Sequence, residues 1–236
     1  MIEIRNLTKK YGKKLALDHM SLDIPKGTFG LLGKNGAGKT TLMKTLTTLQ
    51  EPTSGTCLID GVSVKEKKKV RPMIGYIPQE FALYPDFTCY EILDYFMLLD
   101  GRKDTEDRIK RILEVLELVN LEEQAHVKFK NLSGGMKRRL GIAQAILTDP
   151  SVIVADEPTV GLDLEERRNI KELFKELAKE RIVLISTHII SDVEDCCDRL
   201  GVMKEGKLVF QGTIDQLKAQ TNREHVSLEE AVKELL

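Results

Sequence analysis

Gly33-Lys34-Asn35-Gly36-Ala37-Gly38-Lys39-Thr40 satisfies G-x-x-x-x-G-K-[ST] at every fixed position, the pattern of a loop that cradles phosphates. A short apolar run at residues 28–32 precedes it. An amphipathic stretch that reads as helix through about Leu49 follows, so the octet lies between a buried strand and a helix. Gly33, Gly36 and Gly38, with Asn35 and Ala37 between them, let successive backbone N–H groups converge on phosphate oxygens without Cβ clashes. The helix start adds partial positive charge, Lys39 reaches the β- and γ-phosphates, and the Thr40 hydroxyl is a ligand for Mg2+. At average Gly and Lys usage a chance match in a chain this long is on the order of 1%. The octet therefore implies a nucleoside triphosphate rather than a structural turn.

Further along, Val152-Ile153-Val154-Ala155-Asp156-Glu157-Pro158 reads as a hydrophobic strand ending in two carboxylates. Such a strand delivers Asp156 to a Mg2+ beside the cradle. Alternation then points Glu157 in a different direction, which suits a general base acting on the attacking water. The alternative is a pair of ordinary strand-end acids. A second anion-binding helix start appears at Leu132-Ser133-Gly134-Gly135-Met136, where Ser133 can cap the helix and Gly134 and Gly135 leave N–H groups uncovered. Lys137, Arg138 and Arg139 follow in the first turn, where the helix dipole disfavours cations. Either the chain has two anion sites, or this one completes a cradle on another copy; a plain capped helix is the third reading.

Around these motifs strands and helices alternate. Residues 1–30 alternate in the strand manner, with a loop expected at 9–14 and a turn at Pro25-Lys26-Gly27; strands are expected at 56–59 and 74–77. From Tyr90 to Leu147 the text is almost wholly helical, opened by the capping box Thr88-x-x-Glu91. After Pro150 strands at 152–155, 182–185, 199–203 and 208–211 alternate with a charged helix at 164–179, and Ser227-x-x-Glu230 caps a last helix. The plan is an α/β core interrupted by a helical insertion. The basic run at residues 65–71 reads as a solvated helix or loop.

Together with Gln79 in Ile77-Pro78-Gln79-Glu80, Gly161-Leu162-Asp163 and Ser186-Thr187-His188, the order and spacing of these motifs resemble the ATP-binding cassette (ABC) ATPases over nearly the whole chain. The resemblance implies one domain over 1–236, with a RecA-like P-loop NTPase core. An N-terminal antiparallel β subdomain belongs with that core at 1–80 and 150–213. An inserted α-helical subdomain covers 81–149, and a helical tail covers 214–236. It implies ATP and Mg2+ as ligands and a second cassette subunit packed head to tail, so that Ser133, Gly134 and Gly135 close over the γ-phosphate held by the partner. By the same resemblance Tyr11 stacks on adenine, unless it is a loop anchor, and Thr41 adds an α-phosphate contact. Gln79 touches Mg2+ and the attacking water. His188 contacts the γ-phosphate, unless it caps the helix carrying Ser191-x-x-Glu194, and Asp163 couples the two sites, unless it merely caps the next helix. Ala155 and Gln144 depart from the family's usual residues without removing a catalytic group.

The resemblance further implies the motor subunit of a membrane transporter, most like the cassettes of bacterial exporters, with a separate membrane-spanning chain. Phe81, Leu83, Tyr84 and Phe87 would form its docking surface, or else belong to the helical core. The rival class is a cassette acting on chromosomes or ribosomes, or a cytosolic assembly scaffold. Against a nucleic-acid partner stand 36 Lys+Arg matched by 37 Asp+Glu, a net charge of -1, and 5% aromatics without Trp. Four cysteines with no C-x-x-C spacing argue against a zinc site or disulfide framework and for a reducing compartment. No signal peptide or apolar run near ~20 residues is visible. The expectation is a cytoplasmic chain, peripheral on the cytoplasmic face of the cell membrane.

Overall fold

Val152, Ile153, Val154 and Ala155 are all buried, yet against alternating neighbours: Val152 and Val154 join one apolar cluster, Ile153 and Ala155 another. The same split separates Ile182 and Leu184 from Val183 and Ile185. Strands apolar on both faces belong to a parallel sheet covered on both sides, and the architecture follows from that. The computed structural model describes residues 1–80, 82–221, 223 and 225–236.

In chain order, strands β1 (Ile2–Tyr11), β2 (Lys14–Ile24) and β3 (Gly27–Leu32) lead into helix α1 (Lys39–Leu46). After β4 (Ser54–Ile59) and β5 (Val62–Ser63), a short helix α2 (Lys67–Val70) leads through a 3-10 turn to β6 (Ile74–Ile77). Three helices follow: α3 (Cys89–Leu99), α4 (Thr105–Leu118) and α5 (Gly134–Ile146). Strand and helix then alternate through β7 (Val152–Asp156), α6 (Leu164–Ala178), β8 (Ile182–Thr187), α7 (Ile190–Cys196), β9 (Arg199–Lys204) and β10 (Lys207–Gly212). Helices α8 (Ile214–Gln220) and α9 (Leu228–Leu235) finish the chain.

The larger sheet has the order β10-β9-β3-β8-β7-β6, parallel from β9 to β6 with β10 antiparallel at the edge. One face meets α1 and the antiparallel sheet β2-β1-β4-β5 through Phe29, Leu42 and Ile4. The other meets α6 and the three-helix segment through Ile153, Phe174 and Leu140, in one continuous cluster. A fully buried side chain of this kind contributes about 1.5–3 kcal/mol, so the helical segment is bound to the sheet rather than tethered to it. Gly75 makes the closest approach: a Cβ there would lie 2.1 Å from the Ala145 carbonyl oxygen, so glycine lets α5 settle on β6.

Three local expectations differ. Residues 9–14 are not a loop, because β1 runs on to Tyr11 and returns through Gly12-Lys13, with Tyr11 opposite Lys14; exposure of these residues leaves them polar and hides the strand. Helix α1 stops at Leu46, where Thr47 turns its hydroxyl back to the Met43 carbonyl and Leu49 is exposed, giving a further turn no apolar face. The alternative of His188 as a helix cap does not hold, since α7 begins at Ile190 with Ile189 at its N-cap and no side-chain cap. By contrast the boxes at Thr88 and Ser227 are both closed.

Candidate active site

Parallel strands leave their carboxyl ends on one edge of a sheet, and open α/β folds bind ligands outside that edge. Four strand ends meet there: Leu32 leads into the glycine-rich loop, Asp156 ends β7 with Glu157 next, Thr187 ends β8 with His188 next, and Pro78 and Gln79 follow β6. They surround a cavity of about 250 Å³ lined by Tyr11, Asn35, Gly36, Gly38, Thr40 and Thr41, with Lys39, Gln79, Glu157 and His188 closing it. The first-turn N–H groups of α1 have no preceding carbonyl to bond, and Gly38, Lys39, Thr40 and Thr41 line this cavity. Gly38 shows why the pattern demands glycine: its φ is +107°, and a Cβ would lie 2.6 Å from the Ala16 carbonyl oxygen.

Lys39 is buried, donates to the Gly33 carbonyl at 2.6 Å and lies 3.5 Å from the Glu157 carboxylate. Glu157 holds a left-handed backbone, φ +49°, and its N–H donates to the Ser186 carbonyl at 2.8 Å. That turn aims its side chain at the cavity, where His188 Nδ1 lies 3.0 Å away. Asp156 stays behind, 1% exposed, with Oδ1 accepting from the Ser186 hydroxyl at 2.8 Å. Both neighbouring carboxylates are buried, and of the two Glu157 alone lines the cavity. Gly33 and Ala37 are buried beneath the loop.

Tyr11 is half exposed, its ring covered by the Lys9 ammonium at 5.3 Å. Its hydroxyl donates to Gln50 Oε1, and Gln50 Nε2 in turn donates to the Thr41 carbonyl at 2.7 Å. Sequence reasoning missed Gln50, and also Lys14 and Ala16, which enter the cavity from β2. The hairpin turn at Gly12 was the available signal for the latter pair. It missed Arg138 as well: this buried side chain donates to the carbonyls of Pro78 and Glu157, both at 2.8 Å, tying α5 to two strand ends. Burial lowers its pKa against the pull of Asp156.

Ser133, Gly134, Gly135 and Asp163 are not brought to the cavity. Ser133 caps α5 by accepting from the Met136 N–H at 3.1 Å, and Gly134 lines a separate groove with Phe129, Lys137, Val160 and Gly161. Asp163 caps α6 by accepting from the Glu166 N–H at 2.9 Å, and a Cβ on Gly135 would collide with the Glu166 carboxyl group. Gln79 alone among the candidate residues lines both the cavity and the groove. Leu83 packs against the helical core, whereas Tyr84 and Phe87 are exposed and stack on each other at 5.1 Å; Phe81 lies outside the described residues.

The sequence profile named ABC transporter matches residues 17–160, more than half of the chain. The chain belongs to the ABC transporter family. The linearmycin resistance ATP-binding protein LnrL of Bacillus subtilis is 40% identical over 90% of this chain and 69% of its own length. The Nod factor export ATP-binding protein I of Burkholderia orbicola is 41% identical over 89% and 70%. The methionine import ATP-binding protein MetN of Desulfitobacterium hafniense is 37% identical over 93% and 68%. A solved ATP-binding subunit of an ABC transporter superposes with a TM-score of 0.89 at 28% identity, covering 100% of this chain and 99% of that one. The dimeric cassette MJ0796, bound to ADP and Pi in a post-hydrolysis state, superposes at 0.80 with 31% identity, covering 90% and 98%. As an ABC cassette the chain is an ATP-binding and ATP-hydrolysing subunit of a transporter. Among the described residues no helix is long and apolar enough to cross a membrane.

Proposed function

We propose that this ABC cassette drives export through a separate membrane-spanning subunit, by closing head to tail on a second cassette at the cytoplasmic face of the membrane. We read residues 1–236 as one domain for this purpose. The observation that carries the reading is the separation of two half-sites. The phosphate cavity holds Lys39, Thr40, Glu157 and His188, while Gly134 lines a different groove of the same chain, at the helix start that Ser133 caps. Such halves complete each other only between two copies. Export over import draws on the Nod factor relative, against the import name of MetN.

Within the site the loop N–H groups and Lys39 hold the phosphates, Thr41 reaches the α-phosphate and the Tyr11 ring stacks on adenine. Thr40, Asp156 and Gln79 supply a hydroxyl, a carboxylate and an amide oxygen. These hard donors suit Mg2+, which relies on one or two carboxylates with substrate phosphates; bound there, it would neutralise developing phosphate charge. Glu157 takes the proton of the attacking water, and its bond to His188 orients it for that role. His188 contacts the γ-phosphate. Gln79, shared by cavity and groove, passes the nucleotide state to the surface around Tyr84 and Phe87, where the membrane subunit docks. Asp163 lies beside the groove of one copy and links it to the other's cavity.

The test is purification from native membranes under mild detergent. Recovery with an integral membrane protein, released by Phe87→Ala paired with Tyr84→Ala, is expected. A chain that remains soluble and bound to RNA would contradict it.

A further inference from the structure

Two adjacent thiols, Cys196 and Cys197, end α7 far from any role in the nucleotide chemistry. They line an open cavity of about 410 Å³ together with Thr28, Lys175, Glu194 and Asp198. Cys196 is buried and its thiol donates to the Lys171 carbonyl at 3.6 Å; Cys197 is partly exposed. The Cys197 sulfur also rests on the backbone of β3, since a Cβ built on Gly30 would lie 3.0 Å from it. Gly30 is three residues before the phosphate loop begins at Gly33. Asp198, the next residue, clamps the start of the same strand by accepting from both the N–H and the hydroxyl of Thr28.

We propose that Cys196 and Cys197 are a chelating pair for a thiophilic metal or metalloid ion, and that loading the pair disturbs β3 and so the phosphate loop. Consecutive Cα atoms lie ~3.8 Å apart, shorter than the ~4.4–6.8 Å that a disulfide normally spans, so the pair is poorly built to close on itself. Soft ions instead take two thiolates as ligands. The hydrogen bond between the two thiols holds Cys196 below its ordinary pKa, with Lys175 and Lys171 helping and burial opposing, and pushes Cys197 well above its own, with burial and Asp198 adding to the rise. Cys57 and Cys89 are buried away from this cavity, and burial pushes them up to about 12 and about 11. Binding turns the Cys197 sulfur from Gly30 toward the open cavity, which removes a support from the strand that carries the loop.

Phenylarsine oxide is the probe. Two As–S bonds form, the arsenic–oxygen double bond breaks, and the oxygen leaves as water with both thiol protons, without oxidation or reduction. The full chain is expected to capture one arsenical with the loss of two titratable thiols. ATP hydrolysis should fall in step, and 2,3-dimercaptopropanol should restore both where glutathione does not. Cys196→Ser and Cys197→Ser should each abolish the glutathione-resistant capture, and Cys57→Ser should keep it. Independently of any variant, mass mapping should place the adduct on the tryptic peptide 182–199. Loss of one thiol per arsenical, an adduct on Cys57 or Cys89, or full capture with unchanged hydrolysis would overturn the proposal.

Discussion

At the residue scale the site turns on two neighbours treated differently by the backbone. Asp156 is still strand and stays buried against Ser186, whereas Glu157 leaves the strand at φ +49° and enters the cavity. Strand alternation in the sequence anticipates that the two carboxylates diverge. It does not supply the left-handed turn, because the bond from the Glu157 N–H to the Ser186 carbonyl joins residues about thirty positions apart. Glu157→Gln keeps the shape and removes the base, so hydrolysis should fall by about 10²–10⁴-fold with nucleotide binding retained; single-turnover hydrolysis beside nucleotide titration measures both. Ser186→Ala leaves a buried carboxylate oxygen without its 2.8 Å donor and should cost about 1–3 kcal/mol, read from the urea midpoint. An unchanged midpoint would mean that the hydroxyl does not support Asp156.

At the element scale the legible parts were those that depend on near neighbours in sequence. The glycine octet, the apolar strands and the boxes at Thr88 and Ser227 all rest on residues within one or two turns of each other. Arg138, Gln50 and Ala16 escaped because their partners come from other elements, and nothing local distinguishes Arg138 from Lys137 or Arg139 in the same basic run. The close approach of α5 to β6 belongs to this class. Gly75→Ala would drive a Cβ against the Ala145 carbonyl and should destabilise the chain by about 1–3 kcal/mol through overpacking, in denaturant unfolding. The caps of α8 and α9 form a matched pair, since Thr213 is closed by Gln216 and Ser227 by Glu230. The Ser227 N–H and hydroxyl hold the Glu230 carboxyl below its ordinary value. Its contribution is therefore present above the ordinary glutamate pKa and lost as pH falls through the depressed one. Amide protection of α9, corrected for intrinsic exchange, should decline in that acid window, while the neutral Gln216 cap gives α8 no such term.

At the scale of the whole molecule, one parallel sheet gathers four strand ends around the phosphates and binds the helical segment to its opposite face. That arrangement leaves the cavity and the Gly134 groove on one chain as separate surfaces, joined through Gln79 and Arg138. The near balance of 36 basic and 37 acidic residues leaves little net charge to hold the cassette on anionic lipid, so the membrane attachment proposed above would rest on protein contacts. The central claim is that two chains complete each other's site. ATP-dependent dimerisation of Glu157→Gln, measured by light scattering with and without Ser133→Arg, tests it most directly. The account predicts a dimer with ATP for Glu157→Gln alone and a monomer once Ser133→Arg is added; an ATP dimer that survives Ser133→Arg would contradict it.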